Sequence, residues 1–571
     1  MFFLKNKSKE IKKKNIIFVE NFLDTVTKNE LKSKGFKYES FKVHDKKTKL
    51  SKDIKKTQNI YLKYIKRIRH KIEKLYKIKV NEKIINLIFS KWLFYYISTT
   101  FYKYKILLNI KKKYPKFALL DIEDKNLNEE DRLLYAPDST ILNFKLFKDV
   151  GINLNIKIIK VKFDEIKNLL IFIPSLKDKK NKFSISFYLK FLISTITLKI
   201  SKFFYTNSIQ IHDDTLNFKN ILKIIFKSKF KFSYLFFVEK YPSLNQEINF
   251  DKSIINFHSD DNFEKILNNN FLFYLPKSII ILINYFLINY SNKKDIKNKN
   301  TVVSKRFFAA GYLNFKKYLI KNFNKDTLIS YQHGGTYGQE INYFPEKAER
   351  LITDRFATWG WKGKKTLILP AETYKKNREI KNQCLFVTIS STYAFLNYTD
   401  IPEKIPNIQM EPSLHLLKKV TKKIPTLLRL PPYRHRWRDK EYFEQVKNLK
   451  FDDHKRNFKY MASTSKFVIH NHFNSTALET LSMNIPTLIF CDKALIEYNS
   501  QANKFLKKLI NAKIFFYKHE DVSKFLESHN YNLDKWWFSK KVQEVRKLFC
   551  KNYCHTSLNW TQDWIFKLSR L

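Results

Sequence analysis

The chain has 571 residues, 108 Lys and Arg against 53 Asp and Glu, and 44% hydrophobic residues. That apolar share excludes a disordered, purely solvated chain despite the net charge of +55. The length predicts two to four domains at about 100–200 residues each.

The cationic excess is almost all Lys, enriched together with Asn, Ile, Phe and Tyr and spread along the chain. A/T-rich codons give that set, so the charge reads as compositional bias. A nucleic-acid footprint would cluster on one face, and no nucleic-acid partner is expected. The charge still suits contact with an anionic membrane surface. Against this background two things carry information: an Arg cluster, because Lys is the default cation, and a Gly cluster, because there are only 8 Gly. The four cysteines form no Cys-x-x-Cys and are too few for a disulfide framework, which predicts thiols in a reducing cytoplasm.

"MFFLKNKSKEIKKKNIIFVENFL" has no signal-peptide pattern, and "NIIFVENF" (15–22) predicts a first buried strand. Residues 53–113 predict long helices, with apolar residues at three- and four-residue spacing. Between 140 and 290 the pattern is mixed. "LLIFIPSL" (169–176) and "KFSYLFFVEKY" (231–241) predict strands. "ISFYLKFLISTITLKI" (185–200) and "FLFYLPKSIIILINYFLINY" (271–290) are interrupted by Lys or Asn, which predicts buried elements rather than membrane spans. Residues 302–322 predict a helix, and "TLISYQHGG" (327–335) a strand running into a Gly loop. From 383 onward strands and helices alternate, which predicts a parallel sheet covered on both faces.

Three motifs carry chemistry. In "KFVIHNHFNSTALETLSMNIPTLIF" (466–490) a strand leads through Asn474, Ser475 and Thr476, all good N-caps, into a helix. Glu479 stands at capping-box spacing from Thr476. At the carboxyl edge of a parallel sheet such a helix start favours a phosphate; the same residues would also serve as plain caps. In the second motif Gln332, His333, Gly334, Gly335 and Gly338 follow a strand. Paired glycines allow close backbone approach, and a strand-end His suits acid/base work, although a simple turn would use the same residues. In the third, Arg429, Arg434, Arg436 and Arg438 fall within ten residues. They suit bidentate recognition of a diphosphate or pairing with Asp439 and Glu441. The chain has no Asp-x-Asp triplet, so no metal site and no cofactor are expected.

"YQHGGTYG", "ERLITDRFATWGW" and "HNHFNSTALETLSMNIPTLIF" together resemble a family of transferases from bacterial O-antigen and surface-polysaccharide gene clusters. "FKVHDKKTKLSKDI" (41–54) and the "KWLFYY" stretch extend the resemblance over most of the chain. Such proteins are similar to GT-B glycosyltransferases. The resemblance implies an α/β fold with two Rossmann-like domains facing across a cleft, plus a helical N-terminal insertion. Residues 1–375 would be the acceptor side and 376–571 the nucleotide-donor side. His333 would act as base or oxyanion stabiliser, with Asp354 orienting it. Ser390, Ser391, Asn474, Ser475 and Thr476 would contact phosphate, Glu479 donor hydroxyls, and Arg429 and Arg434 the leaving group. The implied partners are a nucleotide-sugar donor and a glycan or lipid-linked acceptor, at the cytoplasmic side of an inner membrane. The same scaffold would serve a polyol-phosphate (CDP-glycerol-type) transferase. A non-catalytic basic protein binding nucleic acid or membrane is the alternative from another class.

Overall fold

The computed structural model describes residues 2–4, 15–23, 25–41, 43, 47–123, 140–162, 185–238, 251–291, 299–309, 312–323, 325–372, 379–389, 409–431 and 438–571. The first of three sheets holds β1 (Phe2–Leu4), β2 (Ile16–Val19), β3 (Lys37–Glu39), β4 (Ala118–Glu123) and β5 (Lys157–Lys162), in the order β3-β2-β1-β4-β5. β1 is antiparallel to β2 and β4, and the outer pairs are parallel. Between β3 and β4 run two long helices, Lys47–Tyr76 and Glu82–Lys113, packed on one another. The second is apolar nearly all round and is buried along most of its length, as such a helix must be.

The second sheet holds β6 (Ile209–His212), β7 (Phe232–Leu235), β8 (Thr301–Ser304), β9 (Thr327–Tyr331), β10 (Arg355–Thr358) and β11 (Thr366–Ile368). The third holds β12 (Lys381–Val387), β13 (Thr426–Arg429), β14 (Leu449–Phe451), β15 (Ser465–His470), β16 (Thr487–Phe490) and β17 (Phe515–Phe516). Both are parallel throughout. Their short apolar strands are what a sheet covered on both faces requires. The orders are β11-β10-β9-β8-β6-β7 and β14-β13-β12-β15-β16-β17. In the third sheet this is the doubly wound Rossmann order, with its switch between β12 and β15. The second sheet reverses direction between β6 and β8. Ligands bind outside the carboxyl ends of strands at such switch points. The carboxyl ends of the second sheet's strands open on a cavity whose other wall is the flank of the helix after β15, so the chain has the GT-B layout of two Rossmann-like units facing across a cleft.

The helical N-terminal insertion is present, and a five-stranded sheet of its own accompanies it. Two expectations need correction. Residues 301–304 form a strand, and the helix begins only at Leu313; the β-branched "TVV" lies at the centre of a parallel sheet, where packing outweighs the helical spacing around it. The 185–200 segment is a helix, Ile185–Phe204, but its apolar side faces outward. The strand expected at 169–176 lies outside the described residues.

The third-sheet unit does not keep the whole C-terminus. Helix Trp560–Ser569 returns to the second sheet, where Trp560, Trp564 and Leu568 share a core with Ile209, Ile224 and Tyr331. Trp564 Nε1 donates to Pro370 O at 3.0 Å. Among the described residues no single helix is long and apolar enough to cross a membrane. Helices Asn262–Tyr274 and Lys277–Tyr290 reach that length only together, across an 83° bend.

Candidate functional site

The Gly loop is held from both sides. Gln332, directly after β9, accepts from Trp359 N and Trp361 Nε1, each at 2.9 Å, and donates to Gly334 O at 2.9 Å. The Trp-Gly-Trp block therefore fixes the geometry of the Gln-His-Gly-Gly block. On the other side, Gly335 N donates to Asn474 Oδ1 at 3.3 Å and Ser475 Oγ at 3.1 Å. Those acceptors belong to the N-terminus of the helix after β15, in the opposite unit. A Cβ on Gly335 would lie 2.7 Å from Asn474 C and 2.8 Å from Ser475 N, both backbone atoms. Gly338 adopts a φ of +70° against the Trp361 ring, a conformation that L side chains avoid. Its N donates to Glu346 Oε2 at 2.7 Å and its O accepts from Asn499 Nδ2 at 2.8 Å.

His333 projects from this loop into the cleft. Tyr337 OH lies 3.2 Å from each ring nitrogen, and 3.3 Å from Glu349 Oε1 behind it. Ser330 Oγ donates to Glu349 Oε2 at 2.8 Å, and Glu349 is fully buried. Desolvation, aided by Lys305 and Arg306, pushes the His333 pKa down toward about 4, although 35% of its side chain stays exposed at the cleft. Desolvation pushes Glu349 the other way, up to about 8, against its hydrogen bonds from Ser330 and Tyr337. Both groups are therefore uncharged at neutral pH.

The cavity at the cleft has a volume of about 160 Å³. The second-sheet unit lines it with Lys305, His333 and Glu372, and the third-sheet unit with Lys459, Glu479 and Ser482. Lys459 Nζ stands 3.8 Å from Glu479 Oε1. Burial raises the Glu479 pKa and Lys459 opposes the shift. Burial lowers that of Lys305. The arrangement offers a neutral proton acceptor, two cations and two carboxylates around one small volume. Among the described residues no group of three or more His, Cys, Asp or Glu side chains is placed to hold a metal ion.

The sequence matches the LIC12162 family of transferases over residues 2–568. The chain belongs to that family. No curated protein matches its sequence. Solved structures with similarity include MurG of Acinetobacter baumannii, at 9% identity and a TM-score of 0.30, covering 64% of this chain and 99% of that one. The Anabaena protein HepE in complex with UDP and glucose gives 9% identity and a TM-score of 0.33, covering 64% and 100%. The wall teichoic acid polymerase TagF gives 11% and 0.28, covering 50% and 85%.

In this LIC12162 family transferase the structure brings together His333 and Glu479 at the cavity, with Gln332 in its wall. It gives other partners to several expected ligands. Asn474 and Ser475 accept from Gly335, so the helix start faces the Gly loop and the cavity opens on the helix flank. Thr476 Oγ1 pairs with His472 Nε2 at 3.0 Å. Arg429 is committed to an ion pair with the buried Asp452 and to Arg456 O. Ser390, Ser391, Arg434 and Arg436 lie outside the described residues. Arg438 bridges Glu30 and Glu441.

Asp354 cannot orient His333. It accepts from Leu328 N at 2.9 Å, near the start of β9, and pairs with Lys83. His333 follows the other end of that strand, about 15 Å away at the usual rise per residue. The carboxyl group behind the histidine is Glu349, five residues before Asp354 and on helix Phe344–Ile352. Sequence analysis also missed Lys305, Glu372 and Lys459. Lys305 directly follows β8, whose residues read as helix from spacing alone. Lys459 had no signal, being one Lys among very many.

Two outcomes are expected. Gly335→Ala forces the two units apart at a backbone contact. It should cost about 1–3 kcal/mol of stability by the usual penalty for overpacking, seen in thermal melts, whereas Gly334→Ala, which meets its nearest atom only at 3.4 Å, should cost less. The second concerns pH. Folded Glu349 holds a proton up to about 8, whereas an ordinary Glu releases it near 4.5. Its contribution to stability is complete below about 4.5 and is lost as pH rises through about 8. Melting temperatures of the wild type should fall between these limits more steeply than those of Glu349→Gln. Equal slopes would show that Glu349 ionises normally.

Proposed function

We propose that this transferase is a glycosyltransferase. In this reading it moves a sugar from a nucleotide-activated donor to a hydroxyl of a surface-polysaccharide or lipid-linked glycan, on the cytoplasmic side, without a metal or other cofactor. One observation carries the reading: the carboxyl ends of one doubly wound sheet and the helices flanking β15 of the other share a cavity lined by a neutral histidine and by a lysine from each unit. The third-sheet unit, with the Rossmann strand order, suits the nucleotide. The second-sheet unit would present the acceptor.

Neutral His333 is able to take the proton of the acceptor hydroxyl. The hydroxyl oxygen forms a bond to the anomeric carbon, and the bond from that carbon to the phosphate oxygen breaks. The nucleotide diphosphate leaves with the electron pair. Lys305 and Lys459 offset its charge, the part a bound cation would otherwise take. Glu479 accepts from donor hydroxyls. Tyr337, in contact with the His333 ring and with Glu349, holds the imidazole in place.

The test starts with melting curves of the protein with uridine, cytidine and guanosine diphosphate sugars, followed by turnover in EDTA with the donor that stabilises it. Activity should survive EDTA. His333→Ala should lower kcat about 10²–10⁴-fold while the donor KM changes little. The acid limb of kcat/KM should fall near pH 4, the depressed value for His333, rather than near 6.5. Full activity of His333→Ala, or stabilisation by no nucleotide sugar, would overturn the proposal.

A further inference from the structure

Helix Ile185–Phe204 is built the wrong way round for a soluble protein. The side chains it buries are Ser194, Thr197 and Ser201. They serve β7, the edge strand of the second sheet. Ser194 Oγ donates to Tyr234 O at 2.9 Å and accepts from Phe236 N at 3.1 Å, and Thr197 Oγ1 accepts from Tyr234 N at 3.1 Å. The helix thus closes the open edge of the sheet with hydroxyl groups, a sound way to guard it.

The outward face is apolar. Leu189, Phe191, Leu192, Ile196, Phe203 and Phe204 are 45–83% exposed. A monomeric surface seldom carries so continuous an apolar stripe unless something covers it. This chain has Lys in abundance and uses it outward elsewhere, as along helix Lys540–Tyr553. Here it places Leu, Ile and Phe instead.

The charge around the stripe identifies what covers it. Residues 185–235 hold eight Lys and two Asp. Asp213 is paired with Lys190 at 3.2 Å, and Asp214 accepts from Tyr312 OH at 2.8 Å. Lys199 and Lys202 stand exposed on the helix itself. The helix is about 30 Å long, but its hydrogen bonds to β7 and its three Lys keep it from spanning a bilayer. An apolar face that carries exposed Lys199 and Lys202 toward its C-terminal end suits the boundary between headgroups and acyl chains of an anionic bilayer.

We propose that the outward face of helix Ile185–Phe204 docks this protein on an anionic lipid bilayer, lying in the interface plane. The proposal is independent of the chemistry assigned to the cleft. It is tested by co-sedimentation of the full chain with vesicles of equal parts phosphatidylglycerol and phosphatidylcholine, and with phosphatidylcholine alone. The wild type should bind the anionic vesicles, less so at high salt. A variant carrying Leu189→Gln, Leu192→Gln and Ile196→Gln alters only exposed positions and should keep its melting temperature. It should partition about tenfold more weakly or worse. Equal binding by the variant would assign any attraction to diffuse charge and overturn the proposal. So would failure of the wild type to bind, or a wild-type dimer in gel filtration that the variant breaks, which would make a second copy the occupant.

Discussion

The two Rossmann-like units are joined at a point where a main-chain N–H of one meets the first residues of a helix in the other. Gly335 donates to Asn474 and Ser475 with no room for a Cβ between the backbones. Buried main-chain groups must find partners, and this junction satisfies its own across the interface. The neighbouring residues follow from it. Asn499 N donates to Gln339 O at 2.8 Å and Ile341 N to Glu497 O at 3.0 Å, so the loop after Gly335 is stitched to the third-sheet unit as well. Held by Gln332 at one end and these bonds at the other, the loop has one way to present His333.

The closely joined cleft has an electrostatic consequence. Burial penalises whichever form of a group is charged, so it lowers the histidine and raises the glutamate. His333 and Glu349 are brought to neutrality at physiological pH from opposite directions. The charges left facing the cavity are carried by lysines and by the carboxylates Glu372 and Glu479. On the proposed reaction, such a site would be preorganised for the negative charge that develops on a leaving diphosphate.

Much of this was legible in the sequence because the informative residues were scarce ones. Glycine clustered where backbones pass within van der Waals contact, and the strand–loop–helix pattern at 466–490 is a real β15, helix and β16. The parallel sheet from 383 onward followed from alternating apolar strands and helices, and the two-unit layout from the resemblance to GT-B glycosyltransferases. Other features were hidden for physical reasons. Asp354 lies near His333 in the chain, but strand β9 separates its two ends by its full length, and only the register shows that Glu349 stands behind His333. Asn474 and Ser475 look alike whether they cap a helix, bind phosphate or accept from another domain. The 185–204 helix was read as buried because its residues are apolar; a hydroxyl-lined inner face contacting a sheet edge leaves no hydrophobic period to detect.

Hydrogen exchange of the full chain, with and without a nucleoside diphosphate, tests the central claim most directly. If the cleft is one site built from both units, segments 332–341 and 470–483 should gain protection together when the nucleotide binds. Protection confined to one of the two segments, or located away from the cleft, would contradict it.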